Sequence, residues 1–377
     1  MHWVNSWRNP GSLMDVARQI SDTGEVYRFG HYHAAVRAIR FHRQGPPEVL
    51  QLDDVPALPS PPPGHVRLAI HAASVNHLDI WTRRELRGVD LPRIPGADAA
   101  GVVSEVGEGV DLSVGDRVLI DPGFTTAPSM AETRGEPSLS PHYGILGESC
   151  DGTYREELVL ASHRCLPVPD GWSFADAAAF PLTAITAWRM CIVRGRLQPG
   201  ETVLILGAAA GVGVMCIQLA KLAGCRVIAT ASTEDKRALC RELGADEVFD
   251  YTEVDQVRET RRLTGGAGAD VTIDYVGKAT WTKSLRSTRA GGRILTCGAT
   301  TGHDPSTDLR HVFFRQLSIV GSTMGSTADL AAALEVARRG ELSPVVDRVM
   351  PLEDAAAAHQ LIEDRAVQGK IVLEVRA

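Results

Sequence analysis

The sequence predicts an α/β protein in which a β-rich first part precedes a doubly wound parallel sheet with helices on both faces. From Val36 to Leu160, apolar and polar residues alternate in short segments separated by Gly and Pro, for example in PSPPPG (59–64). From Val203 onwards, short apolar segments alternate with helical ones, as parallel sheets require. A chain of 377 residues also exceeds one typical hydrophobic core, which favours two domains.

Six strands are predicted in the β-rich part. They are VRAIRF (36–41), VLQLDDVP (49–56), HVRLAIHAASV (65–75), GVVSEVG (101–107), DRVLI (116–120) and TYREELVL (153–160). The polar, Pro-rich segment from Asp121 to Pro141 carries few structural signals and is predicted to be a long surface loop.

The period becomes helical in FADAAAFPLTAITAWRMCIV (174–193), and strands then alternate with helices. The predicted strands are VLILG, RVIATA, DEVFDY, VTIDYVG, RILTCG and LSIVGS. One more helix is expected from Thr327 to Arg339, followed by VVDRVMPL (345–352) and KIVLEV (370–375), which we expect to return to the β-rich part.

The segment VLILGAAAGVG (203–213) predicts a dinucleotide site. Small residues follow a buried strand, so backbone amides at a helix N-terminus can approach a pyrophosphate. The GxGxxG pattern is not met, since its positions hold Ala208, Ala210 and Gly213, but a helix (214–222) and a strand (225–231) follow as a βαβ unit requires. A turn without a ligand is the alternative. A membrane span over 203–220 is excluded because the run divides at glycine into a strand and a helix.

Composition limits the partners. The chain has 39 basic and 46 acidic residues, a net charge of -7 and no long basic run, which argues against nucleic acid. Seven scattered cysteines without a CxxC pair suit buried thiols in a reducing compartment. The first residues lack the basic start and apolar core of a secretory signal, so we expect a cytoplasmic protein that does not enter a membrane.

Several motifs together resemble those of the medium-chain dehydrogenase/reductase superfamily. They are VNHLDIWTRR (75–84), LPRIPGADAAGVVSEVGEGV (91–110), GDRV (115–118), AAAFPLTAITAW (177–188), GAAAGVGVMCIQLAKLAG (207–224) and GKIVL (369–373). The resemblance, to zinc-binding-type alcohol dehydrogenases and quinone oxidoreductases, implies a GroES-like catalytic domain and a Rossmann cofactor-binding domain. The expected organisation is an N-terminal extension, expected to be mobile (1–35), the first part of the catalytic domain (36–174), the Rossmann domain (175–323) and a return to the catalytic domain (324–377).

The resemblance also implies where catalytic zinc ligands would stand. By motif position, the Cys, His and Cys of zinc alcohol dehydrogenases correspond here to Asn76, Ala97 and Leu182, and the loop 121–149 contains no cysteine for a structural zinc. No zinc is therefore expected. The alternative is an unusual metal site formed by His77, Asp79 and Asp98, three side chains that can equally form a hydrogen-bonded network.

Without a Lewis acid, oxidation of a simple alcohol is difficult, whereas a conjugated carbonyl already accepts electron density. The sequence therefore favours a zinc-independent, NADPH-dependent oxidoreductase that transfers hydride to a quinone or α,β-unsaturated ketone as its small-molecule substrate. The alternatives are an alcohol dehydrogenase or ketone reductase of a biosynthetic pathway, and a non-catalytic NADPH-binding redox sensor.

Asn76 and Asp79 are the predicted catalytic residues, with Asn76 donating its amide to the substrate carbonyl or the cofactor. Both residue types also cap helices, which is the alternative explanation. His77 matches a position that approaches the cofactor phosphates in alcohol dehydrogenases, although an ordinary surface histidine is equally compatible with the sequence.

NADP is the expected cofactor, with NAD possible, because no carboxylate ends the second strand of the βαβ unit. Ser232 and Lys236 are expected to hold a 2′-phosphate, although Lys236 can also be a solvated helix-start charge, and Glu234 and Asp235 lie beside it. The full predicted cofactor set comprises His77, Thr186, Ala209, Ala210, Gly211, Val212, Gly213, Ser232, Lys236, Tyr251, Val276, Cys297, Gly298, Ala299, Ser322, Thr323 and Lys370. A homodimer is expected, with the LSIVGS strand (317–322) as a candidate interface.

Overall fold

The structure is a computed structural model that describes residues 35–376; residues 1–34 of the predicted extension lie outside it. Its strands are β1 (Val36–Phe41), β2 (Leu50–Val55), β3 (His65–Ser74), β4 (Asp98–Val106), β5 (Arg117–Ile120), β6 (Gly123–Thr125), β7 (Tyr143–Ile145), β8 (Glu157–Ala161), β9 (Cys165–Pro167), β10 (Thr202–Ile205), β11 (Arg226–Thr230), β12 (Glu247–Phe249), β13 (Ala269–Ile273), β14 (Thr288–Thr296), β15 (Ser318–Gly321), β16 (Val346–Pro351) and β17 (Lys370–Glu374).

Its α-helices are α1 (His77–Arg84), α2 (Met130–Thr133), α3 (Phe174–Ala179), α4 (Pro181–Trp188), α5 (Gly211–Leu222), α6 (Glu234–Glu242), α7 (Gln256–Leu263), α8 (Trp281–Ser287), α9 (Leu309–Phe313), α10 (Thr327–Arg338) and α11 (Ala355–Glu363). A π-helix, Arg189–Arg194, continues α4. None of the helices between residues 35 and 376 is long and apolar enough to cross a membrane.

The β-rich part forms a seven-stranded sheet in the order β16-β17-β3-β4-β5-β9, with β8 also paired to β3. Strand β3 alternates buried and partly exposed residues, so one of its faces packs on the core. Strand β17 pairs antiparallel with β3, with Val372 opposite Ser74. The C-terminal strands thus complete the first sheet, as expected.

The second sheet is parallel throughout, in the order β12-β11-β10-β13-β14-β15. This is the strand order of a Rossmann fold, so the predicted doubly wound architecture is confirmed. Because all six strands run the same way, their carboxyl ends lie along one edge of the sheet. The domain boundaries proposed from the sequence stay predictions.

The structure differs from the sequence-based expectations at three places. The segment 121–141 is not a structureless loop, since it contains β6, α2 and a 3-10 turn at 137–139, and β6 pairs with β7. The helical segment 174–193 divides at Pro181, which lacks an N–H for the preceding turn and begins α4. Helix α11 was missed, although Ala355, Ala358, His359 and Ile362 are buried at helical spacing.

Cysteine burial agrees with the sequence-based expectation. All seven cysteines are free thiols, of which five are buried and Cys150 and Cys297 are half-buried. Burial raises the pKa of Cys165 to about 12. Such a thiol is protonated near neutral pH and is therefore a poor nucleophile.

Candidate active site

The dinucleotide turn follows β10 and is built from residues without bulky side chains. A Cβ on Gly213 would lie 2.6 Å from both the Ala208 carbonyl oxygen and Tyr275 Oη. The Tyr275 hydroxyl donates to the Gly207 carbonyl at 2.8 Å and so fixes the start of the turn. Helix α5 already begins at Gly211, three residues before its predicted start, so its first N–H groups face the turn. The turn therefore fits a pyrophosphate.

Most of the predicted cofactor residues follow the carboxyl ends of the six parallel strands. After β10 come Ala209, Ala210, Gly211, Val212 and Gly213, and after β14 come Cys297, Gly298 and Ala299. Single residues follow β11 (Ser232), β12 (Tyr251) and β13 (Val276), and β15 is followed by Ser322 and Thr323. Tyr251, beyond the outermost strand, is 38% exposed. The buried Ser322 Oγ has no hydrogen-bond partner within residues 35–376, as expected of a group that meets a ligand.

The indole of Trp81 lies beside the end of β14. A Cβ on Gly298 would be 3.7 Å from Trp81 Cη2, so α1 of the first part faces a predicted cofactor loop of the second. The neighbouring Thr186 lies on α4, is buried, and has its hydroxyl 3.9 Å from Met324 Sδ, next to Thr323. These contacts bring α1 and α4 against the loops that follow β14 and β15.

At the end of β11, the Thr233 hydroxyl caps α6 by accepting from the N–H of Lys236 at 3.4 Å. Lys236 Nζ donates to the Arg365 carbonyl at 2.5 Å. Burial lowers the pKa of Lys236, and the positive charge of Arg365 adds to this effect while Asp347 opposes it. Lys236 is therefore held near a second cation rather than fully solvated.

Glu234 does not point freely at the cofactor position, because its carboxylate pairs with Arg237 and Arg241 on the same helix. The side chain of Arg365 forms neither a hydrogen bond nor an ion pair within residues 35–376, and its backbone has a positive φ of 58°. Arg365 is exposed, and its charge lies close enough to Lys236 to lower the pKa of that lysine, so the two cations together are suited to an anionic group.

His77 begins α1 and is accessible to solvent. Protein atoms around its ring lower the pKa of His77, and the positive charges of Lys370 and Arg365 add to this effect. The imidazole is therefore neutral near pH 7, and it can contact a phosphate only as a neutral donor.

Asp79 caps α1, as the alternative explanation holds, whereas Asn76 stands at the N-cap position without a capping hydrogen bond from its side chain. The Asp79 carboxylate accepts from the backbone N–H of Asn76 at 2.8 Å and from that of Gly96 at 3.1 Å. Burial raises the pKa of Asp79 to about 7, although the two N–H groups and Lys370 favour its charged form. Asp79 is 1% exposed, so its carboxyl is enclosed by protein.

The Asn76 amide has a fixed orientation. Its Oδ1 accepts from Lys370 Nζ, and its Nδ2 donates to Asp98 Oδ2 at 2.9 Å. An ammonium only donates and a carboxylate only accepts, so flipping the amide would place like groups together. The second Nδ2 hydrogen has only a long contact, 3.5 Å, to the Ser74 carbonyl. This hydrogen is the one that Asn76 does not use in a short hydrogen bond.

Lys370 and Asp98 form an ion pair at the centre of this cluster. Lys370 Nζ donates to the Val75 carbonyl at 2.8 Å and lies 3.4 Å from Asp98 Oδ2. Both side chains are almost completely buried, 3% and 0% exposed. Asp98 Oδ1 accepts from the backbone N–H of Leu182, at the start of α4, at 2.8 Å. The stem of Lys370 also reaches the dinucleotide turn, 2.9 Å from a Cβ placed on Gly211.

The three motif positions of the zinc ligands do not fit a metal ion. Asn76 gives its oxygen to an ammonium, Ala97 has no donor atom, and Leu182 contributes only a backbone N–H. Asp98, part of the alternative site, is occupied by hydrogen-bond donors. Within residues 35–376, no group of three or more His, Cys, Asp or Glu side chains is arranged to hold a metal.

Sequence reasoning overlooked Arg365 and the contact of Trp81 with the loop after β14, and it named Asp98 only as part of an alternative metal site or hydrogen-bonded network. Asp98 directly follows Ala97 in the motif, so its position beside the absent histidine was the available signal. Arg365 has no such signal, because its place beside Lys236 depends on how the loop between α11 and β17 folds.

Comparison with known proteins agrees with this architecture. Residues 62–170 match the family described as alcohol dehydrogenase GroES-like domain, and residues 211–339 match the one described as zinc-binding dehydrogenase. Human quinone oxidoreductase is 31% identical over 350 residues, covering 90% of this chain and 97% of the relative. The chain belongs to the medium-chain dehydrogenase/reductase superfamily. Like other members of this superfamily, it is an oxidoreductase.

Two solved structures of the superfamily are also similar. A protein described as NAD-dependent alcohol dehydrogenase shares 45% identity, with a TM-score of 0.87 over 90% of this chain and 100% of the other. Crotonyl-CoA carboxylase/reductase AntE in complex with NADP shares 26% identity, with a TM-score of 0.83 over 93% and 97%.

Proposed function

We propose that this chain is a zinc-independent, NADPH-dependent reductase of a conjugated carbonyl compound, a quinone or an α,β-unsaturated ketone. The observation that carries the proposal is the Lys370–Asp98 ion pair, which lies among the three motif positions from which zinc ligands would come. A site with its own ammonium and no soft donors offers no Lewis acid, so the substrate must itself be electrophilic.

The chemistry then balances without a metal. When bound, NADPH would supply a hydride, which carries two electrons and one proton, to the β-carbon of the enone or to the quinone. The enone becomes an enolate, which takes a proton from water at its α-carbon and gives the saturated ketone, whereas the quinone becomes a hydroquinone anion, which takes its proton at oxygen. NADP⁺ is the other product, and in both cases negative charge develops on the former carbonyl oxygen. The remaining N–H of Asn76 is the protein's donor to that oxygen, and the Trp81 side of the cleft excludes water.

The preference for NADPH is supported by charge. Ala231, Ser232 and Thr233 follow β11, so no carboxylate stands where NAD enzymes place one. Lys236 and Arg365 lie together beside this strand end, and the solved relative AntE binds NADP. A 2′-phosphate would relieve the repulsion between these two cations.

A second candidate is an NAD-dependent alcohol dehydrogenase, and the 45% identical solved structure of that description favours it. The two functions differ in cofactor and in the need for a metal. Oxidation of an unactivated alcohol by this chain would require a Lewis acid at Asn76, where the structure has an ammonium.

The deciding experiment follows NADPH and NADH absorbance with a panel of quinones, enones, aldehydes and alcohols, alongside a metal analysis of the purified protein. We expect quinones or enones to oxidise NADPH at rates that a chelator does not change. The purified protein should contain less than about one zinc ion per ten chains. Stoichiometric zinc with turnover of alcohols alone would establish the second candidate. Cofactor binding without turnover of any compound would favour a redox sensor.

We also propose a homodimer. Strand β15 is at the end of the parallel sheet, and the apolar side chains of Phe314 (75% exposed) and Ile319 (44% exposed) lie on or near it. Sedimentation of the wild type and of Phe314→Asp tests this: a monomeric wild type would contradict it.

A further inference from the structure

The ammonium of Lys370 is surrounded by three oxygen atoms from two different elements of the chain. The Val75 carbonyl and Asn76 Oδ1 come from the link between β3 and α1, and Asp98 Oδ2 comes from the start of β4. These are the acceptors that a small cation requires. The three N–H bonds of an ammonium can each meet one of them.

The carboxylate of Asp98 extends the arrangement to a third and a fourth element. It accepts from the Ser74 hydroxyl at 3.0 Å, from Asn76 Nδ2, and from the Leu182 N–H at the start of α4. Two segments that would carry zinc ligands, at Asn76 and Leu182, are thus joined through one buried carboxylate. The Lys370 ammonium supplies the positive charge that makes burial of this carboxylate tolerable.

We propose that this cluster is a primary-ammonium site, and that the Lys370 side chain is its permanently attached occupant in place of a metal ion. Lys370 acts as a positioning residue. Its charge keeps Asn76 in one orientation and keeps the start of α4 against β4, while its stem packs on the dinucleotide turn at Gly211. The cation of this site is part of β17, so a chelator cannot remove it.

Removal of the side chain should leave a vacant site with the same chemistry. Lys370→Ala lacks three methylene groups and the ammonium, which together correspond to n-propylammonium. Asp98 would remain buried without a countercharge, so we expect a lower melting temperature and a fall of roughly tenfold or more in kcat/KM. Added n-propylammonium should restore both in a saturable way.

Three controls separate this from general salt or stability effects. Tetramethylammonium at equal ionic strength carries the charge but has no N–H donors, and it should not restore either property. The double variant Lys370→Ala/Asp98→Asn has no charge to compensate, and it should not respond to n-propylammonium. Lys221→Ala, which removes a half-exposed ammonium paired with Asp246, should be insensitive to the amine.

The outcomes distinguish this inference from the proposed reductase on which its activity readout rests. Suppose that the wild type is active and free of metal, but that n-propylammonium does not raise the melting temperature of Lys370→Ala. This result would overturn the inference and leave the proposed function standing. If Lys370→Ala is recovered unfolded, refolding with and without the amine gives the same readout. Rescue by tetramethylammonium as well would also overturn it. Zinc in the wild type would overturn the proposed function, whereas the melting-temperature measurement needs no substrate.

Discussion

The backbone N–H of Gly369 donates to the carbonyl of Ala209 at 2.7 Å. Gly369 and Ala210 also form an isolated parallel bridge, so the residue before β17 contacts the dinucleotide turn directly. Gly369 has a φ of 71°, and a Cβ there would lie 2.2 Å from the Val345 carbonyl oxygen. The glycine is required both for its backbone angle and for this close approach.

Gly369→Ala should therefore weaken NADPH binding and stability together. A shift of the turn away from Ala209 would disturb the pyrophosphate site, and we expect about a tenfold higher Kd, or about 1.4 kcal/mol. Gly340→Ala is the matched control, because Gly340 has a φ of 75° but open space around it. It should cost only about 1 kcal/mol of unfolding free energy and leave the Kd unchanged. Equal Kd values for both variants would contradict the link.

Cofactor selectivity should depend on Lys236 and Arg365. Replacing either by Ala removes a charge that can meet a 2′-phosphate, so each variant should bind NADPH roughly tenfold more weakly and NADH almost unchanged. Fluorescence titration with both cofactors measures this. Arg339→Ala removes an exposed arginine paired with Glu341 and should affect neither. Equal losses for NADH and NADPH would exclude the two residues from discrimination.

His359 should make the protein less stable in acid. Burial, with the nearby charge of Arg83, lowers the pKa of His359 to about 3 in the native state. Since an unfolded histidine titrates near 6.5, only the unfolded state gains a proton as the pH falls below that value. This residue therefore contributes its full stability above pH 6.5, and about 1.4 kcal/mol is lost per pH unit below it.

His359→Gln lacks this proton uptake. Its free energy of unfolding, measured with urea at pH 7.5, 6 and 5, should approach that of the wild type as the pH falls. The variant should start lower at pH 7.5, because the contact between His359 Nε2 and the Tyr154 hydroxyl, 3.3 Å apart, is changed. A gap that stays constant with pH would show that His359 is not the group responsible.

Arg189 should be important for stability. It is 4% exposed and pairs with two carboxylates. One belongs to Glu136, in the segment 121–141, and the other to Asp329 in the first turn of α10, 3.5 Å away. Arg189→Met leaves these carboxylates without a countercharge, and we expect a loss of about 3 kcal/mol in the free energy of unfolding. Arg262→Met, which breaks an exposed pair with Glu259, should cost less than about 1 kcal/mol. Similar losses for both would contradict the assignment.

The strand pattern and the parallel sheet could be predicted because alternation and apolar runs report burial directly. Helix α11 was missed because its alanines give little contrast between its faces, although the spacing of Ala355, Ala358 and Ile362 was informative. The segment 121–141 holds elements of only three or four residues, which are too short to show a period.

The strand-end loops of the candidate site could also be predicted, since the order of a doubly wound sheet places them on one edge. The ion pair could not, because Lys370 and Asp98 are 272 residues apart in the chain. Lys370 was expected to reach the cofactor from the other domain, and nothing in the sequence indicated that its ammonium turns towards Asn76.

Strand β17 lies between β16 and β3, in the interior of its sheet. Its partner β3 is formed from residues almost 300 positions earlier in the chain. A pairing over such a separation has a high contact order, which slows folding. Strand β8 covers only residues 65–69 on this side of β3, so residues 72–74 stay unpaired there until β17 is made. During synthesis, the parallel sheet can therefore assemble before the first sheet is finished, and residues 72–74 are the part of this edge of β3 left open to pairing with another chain.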